Sequence, residues 1–117
     1  MISIKNEYGE IRISEEAIAE IASCTAMQCY GVVGLAGRTF PKGIPDFLKK
    51  SLKKGVLVSQ REDDSYDLDL YVVIEYGTRL AEVARNLCEQ VRYQVESMTG
   101  ARVGHVEVHV QRLKMDK

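Results

Sequence analysis

The chain has 117 residues, of which 45% are apolar and 28% charged, and it carries a formal net charge of −1. That length is enough for one domain, residues 1–117, to bury a core without disulfides or a structural metal, and the average composition argues against disorder or a fibrous architecture. A near-zero net charge gives no global attraction to nucleic acid, and no apolar run approaches the roughly 20 residues that span a bilayer.

The start, Met1-Ile2-Ser3-Ile4-Lys5-Asn6-Glu7, lacks the pattern of a secretory signal, so a cytoplasmic protein with no direct membrane insertion is expected. Tyr8 to Ile13 alternates polar and apolar residues as a half-buried strand does, with Ile11 and Ile13 on one side. A helix should follow at once. Ser14 suits the N-cap, Glu15 and Glu16 suit the positive helix end, and Ile13 is placed to pack on Ile18. Its apolar stripe is Ile18, Ile21, Ala22 and Thr25, extending toward Cys29, and Gly31 closes it. Val32 to Leu35 then reads as a short buried strand with no polar face.

From Gly37 the texture changes. Arg38 to Gly43 reads as a loop, and Pro45 opens a short amphipathic helix through Lys54 with Phe47, Leu48 and Leu52 on its apolar side. In Arg38 to Lys54, six basic side chains against Asp46 alone give a local charge of +5, leaving −6 on the rest. A basic amphipathic helix can lie on anionic lipid or dock in an acidic groove, which makes Lys49, Lys50, Lys53 and Lys54 candidate contact residues.

Val56 to Arg61 and Tyr66 to Tyr76 read as a hairpin joined by the acidic turn Glu62-Asp63-Asp64-Ser65. In its second strand Leu68, Leu70, Val72, Ile74 and Tyr76 share the core face, leaving Asp67, Asp69, Tyr71, Val73 and Glu75 opposite. Thr78 is the expected cap of a long helix whose apolar positions are Leu80, Val83, Ala84, Leu87, Cys88, Val91, Val95 and Met98, with Gly100 as its stop. The last strand, Val103 to Arg112, points Val106, Val108 and Val110 inward and His105, Glu107, His109 and Gln111 outward. The expected fold is α+β: a two-layer sandwich, with a mixed sheet, two main helices on one face and one short extra helix.

No constellation has the spacing of a catalytic site. Cys24, Cys29 and Cys88 have no CxxC spacing and read as buried structural thiols. Gly31-Val32-Val33-Gly34-Leu35-Ala36-Gly37 lacks the strand-before, helix-after context of a phosphate loop. His105-x-Glu107-x-His109 offers three ligand types on one strand face, but alternate strand positions are about 7 Å apart, wide for chelating one ion. A further ligand from Asp69 or Glu75 requires adjoining strands. No metal or cofactor is assigned on this basis, and the face is read as a polar sheet surface or an oligomer contact.

Several segments, taken in order, form a specific set: Tyr8-Gly9-Glu10-Ile11-Arg12-Ile13-Ser14-Glu15-Glu16, Gly31-Val32-Val33-Gly34-Leu35, Ile74-Glu75-Tyr76-Gly77-Thr78, Met98-Thr99-Gly100 and Val106-Glu107-Val108-His109-Val110. Over nearly the whole chain this resembles the bacterial alkaline shock protein family, in particular its small YloU-like members. The resemblance implies a cytosolic protein of mainly Gram-positive bacteria, associated with cell-envelope or general stress, without an accepted enzymatic activity and with no catalytic residues to carry over. It further implies self-association and protein partners: a membrane-anchored protein, which would bring the chain close to the membrane, or a kinase-like protein of the dihydroxyacetone or fatty-acid kinase type. The expected function is a non-enzymatic scaffold that makes contacts through Tyr71, Val73, His105, Glu107 and His109 or through the basic helix. The alternative is a metal- or anion-binding accessory protein using the same surfaces.

Overall fold

The computed structural model describes residues 2–35 and 55–115. The basic segment, with Lys49, Lys50, Lys53, Lys54 and the expected helix from Pro45, lies outside the described residues. The elements in chain order are β1 (Ile2–Asn6), β2 (Gly9–Ile13), α1 (Glu15–Gln28), β3 (Val32–Leu35), β4 (Val56–Gln60), β5 (Tyr66–Glu75), α2 (Leu80–Thr99) and β6 (Val103–Lys114). This is the expected α+β arrangement, with both helices packed on one face of a mixed sheet.

Residues 2–6, to which no element is assigned from sequence, form β1. They pair antiparallel with β2 in a two-stranded sheet of their own, from Ile2 opposite Ile13 to Asn6 opposite Gly9. The reversal is tight: the Tyr8 backbone N–H donates to Asn6 Oδ1 at 2.7 Å, an Asx turn. Because this ribbon stands apart from the main sheet, Ile11 is 51% exposed rather than half-buried. Among the described residues of the ribbon, Ile13, at its end, packs against the core.

α1 starts as its sequence dictates, with Ser14 Oγ accepting from the Ala17 N–H at 3.1 Å. Its buried positions are Ile18, Ala19, Ala22 and Ala26, a stripe turned slightly from the expected one, with Ile21 partly buried at its side. Cys24 lies on the opposite side and is exposed, which corrects the expectation that all three thiols are buried. Cys29 and Cys88 conform: their thiols donate to Thr25 O and Val106 O, and burial pushes both pKa values up. Gly31 turns the chain into β3 at φ +86°, where a Cβ would stand 2.9 Å from Val83 Cγ2. Both the backbone and the contact with α2 therefore require glycine there.

The main sheet is built around β5. β4 pairs antiparallel with residues 66–70 of β5 and β3 with residues 72–74, so β3 and β4 lie end to end along one edge of β5. The other edge is taken by β6, which runs parallel to β5 from Val103 to Lys114. A parallel neighbour needs a crossover, and α2 supplies it. Among the described residues β3 is an edge strand, with an irregular register between Val32 and Gly34, and Val33 is 37% exposed instead of sealed in the core.

On the helix side, Leu68, Leu70, Val72 and Ile74 of β5 are fully buried against α1 and against Val83, Leu87, Val91 and Val95 of α2. Tyr76, expected on the same face, lies past the strand end and is exposed, as are Leu80 and Met98 at the two ends of α2. Thr78 does not cap α2. Its hydroxyl donates to Glu75 O at 2.8 Å to close the turn after β5, and Arg79 is the N-cap without a side-chain bond. The other end behaves as expected, with Gly100 at φ +74° and its N–H donating to Glu96 O. Arg92 and Glu96 then fasten the start of β6. Arg92 Nη1 donates to Val103 O at 3.1 Å, and Glu96 Oε2 accepts from the Val103 N–H at 3.0 Å.

Candidate functional site

Alternation sends Asp67, Asp69, Tyr71 and Val73 of β5 to the sheet face opposite the helices. The parallel register places Asp69 beside Glu107 and Tyr71 beside His109, so the two strands build one surface. His109 is its centre. Its Nε2 lies 3.0 Å from Asp69 Oδ1 and 3.0 Å from Glu107 Oε2. The imidazole stacks on the Tyr71 ring, with centroids 4.5 Å apart and planes 9° from parallel. That contact holds the plane of the ring.

The remaining neighbours are looser. His105 Nε2 is 3.7 Å from Glu107 Oε1, and both side chains are more than half exposed. Arg61 Nε is 3.7 Å from Asp67 Oδ2. The ion pairs that Asp69 and Glu107 make among the described residues are with histidines, not with lysine or arginine. The site is therefore negative in character. The same electrostatics reaches Tyr71, whose phenol is pushed up in pKa first by burial and then by the charges of Asp69 and Glu107.

The structure thus joins Tyr71, Glu107 and His109 and adds Asp69, while His105 stands at the margin. Glu75, the other carboxylate weighed from sequence, pairs in register with Lys114 at the far end of β5 and is not part of the cluster. Tyr71 and Val73 are 7% and 8% exposed, so little of either reaches the surface. Val73 opens instead into a second feature, a groove of about 450 Å³ at the end of the sheet. Its walls are Val33, Leu35, Leu113 and Met115, with Arg112 and Lys114 contributing positive charge. Arg112 and Leu113 could not be assigned to this groove from alternation alone. A bulge at Gln111, between the Val72–Val110 and Val73–Arg112 pairs, shifts the face that each following side chain takes.

Among the described residues no helix is long and apolar enough to cross a membrane. The family model of alkaline shock protein 23, described by a cell envelope-related function, matches residues 3–115. Uncharacterised YloU of Bacillus subtilis is 37% identical to the chain over 116 residues, covering 97% of this chain and 96% of its own length. Uncharacterised Spy1614 of Streptococcus pyogenes is 33% identical over 97% of this chain and 95% of its own length. Uncharacterised YqhY of B. subtilis is 28% identical over 92% and 79% respectively. No solved structure matches the chain.

Proposed function

The chain belongs to the alkaline shock protein 23 family, and on that premise we propose that it serves a cell envelope-related function from the cytoplasmic side, by binding proteins and copies of itself rather than by catalysis. The observation that carries this reading is the free side of β6. This strand is 12 residues long and, among the described residues, its only strand partner is β5; past Val103 and Val106, whose backbone groups Arg92, Glu96 and Cys88 engage, its other edge has no strand partner. Such an edge is a template for strand addition, by a second copy or by an extended peptide.

The side chains support the same use. Val110, Leu113 and Met115 are 38%, 40% and 61% exposed, and the neighbouring groove combines an apolar lining with Arg112 and Lys114. An extended segment with apolar and acidic side chains fits that chemistry. The membrane-anchored protein and the kinase-like protein implied by the family resemblance are the proposed partner classes, and contact with the former would hold the chain near the membrane.

Sedimentation of the full chain over a range of concentrations, paired with affinity purification from the source cells, tests the proposal. We expect mass to rise with concentration, Leu113→Glu to suppress that rise, and an envelope-associated protein to be retained. A strict monomer that retains nothing overturns it.

A further inference from the structure

We propose that Asp69, Glu107 and His109 form a binding site for a divalent first-row transition-metal ion such as Zn2+ or Mn2+. The three donors come from two adjacent strands, and their ligand atoms lie within 4.8 Å of one another. The two distances from His109 are those of a chelating set. Two ligands about 2.0 to 2.2 Å from one ion, at tetrahedral or octahedral angles, are roughly 3 to 3.5 Å from each other. His109 Nε2 stands 3.0 Å from each carboxylate oxygen, so only small side-chain movements are needed to close the set.

Proton chemistry satisfies this arrangement poorly. Nε2 carries at most one hydrogen; it is hydrogen-bonded with Asp69 Oδ1, while Glu107 Oε2 stands at the same 3.0 Å distance. A divalent cation accepts all three donors at once and neutralises both carboxylates. Tyr71 strengthens the case because its stacked ring holds the plane of the imidazole, and a restrained ligand loses less freedom on binding. One imidazole with two carboxylates and no thiolate suits zinc, manganese or cobalt rather than a soft ion such as Cu(I). Three protein ligands leave at least one coordination position for water. The side chains of Glu107 and His109 span the i, i+2 spacing on β6, which alone looked too wide, so that their ligand atoms meet at 3.0 Å, and Asp69 of β5 adds the third donor. The inference does not depend on how the chain serves the envelope.

The test is calorimetric titration of the full chain with ZnCl2 and, separately, MnCl2 at neutral pH. Circular dichroism confirms that each variant is folded. The expected result is one ion per chain, with binding weakened about tenfold or more by Asp69→Asn, which keeps the side-chain shape, and by His109→Ala. His105→Ala should leave the affinity unchanged. Tyr71→Phe, which keeps the stacked ring, should bind as the parent does, and Tyr71→Ala should bind more weakly. The proposal is overturned if neither metal gives saturable binding, if Asp69→Asn and His109→Ala bind as tightly as the parent, or if His105→Ala removes the binding instead.

Discussion

The two faces of β5 are made from alternating residues of one strand and follow opposite rules. On the helix side Leu68, Leu70, Val72 and Ile74 have no exposed surface and belong to one buried hydrophobic cluster. On the other side Asp67 and Asp69 precede the buried Tyr71 and Val73, and Asp69 must share His109 with Glu107. Volume decides the first face, because stability there is apolar area removed from water. Partners decide the second, because a partly buried carboxylate needs a countercharge or a cation. One strand can therefore anchor the fold and present a polar, histidine-centred surface without the two demands competing.

The largest expected effect tests the sealed face. Leu70→Ala removes a fully buried side chain from the centre of the sheet and should cost about 2 to 5 kcal/mol, read by urea unfolding. A loss under about 1 kcal/mol would mean that the helix side collapses freely around the gap, and the contrast between the faces would fail.

Next comes the fastening between the helix layer and β6. Glu96→Ala leaves the Val103 N–H without its side-chain acceptor and should cost about 1 to 3 kcal/mol in the same assay. Glu96→Gln, which keeps an acceptor oxygen, should recover most of that loss.

The outer face should respond less. His109→Ala removes half-exposed ion pairs and one ring stack, so in metal-free buffer it should shift stability by about 1 kcal/mol or less. A loss as large as that of Leu70→Ala would make His109 a structural keystone and erase the distinction between the faces.

The smallest effect, absent at neutral pH, compares a tyrosine from each side. Burial raises the pKa of Tyr66 on the helix side and of Tyr71 on the outer side. Because the folded value lies above the unfolded one, each contributes stability that is fully present below about pH 10 and is lost as pH rises through the folded value. In an ultraviolet titration both phenols should ionise above the usual range for tyrosine. Asp69→Asn should move the Tyr71 transition down and leave that of Tyr66 in place, since the Asp69 charge acts on Tyr71.

Local chemistry made much of this legible in the sequence. The alternation of β5, the Ser14 cap, the periodicity of α2 and its Gly100 stop depend on near neighbours in the chain, and each stands where its residues predict. Thr78 is the instructive exception. Its hydroxyl suits a cap equally well, but the turn after β5 claims it for Glu75 O. β1 carries an alternating pattern at Ile2 and Ile4, yet a strand at a chain end is recognised only by the partner it finds.

The sequence by itself determined which residues of β5, and of β6 from His105 to His109, face away from the helices, because side chains alternate along an unbroken stretch of strand. Only the tertiary structure decided that Asp69 meets His109, forty residues further along the chain. That meeting depends on α2 returning the chain parallel to β5, and on irregularities in the β5–β6 pairing near its two ends. Register between distant strands is a property of the packed sheet, set by how α2 seats on the core, and no local pattern in either strand encodes it.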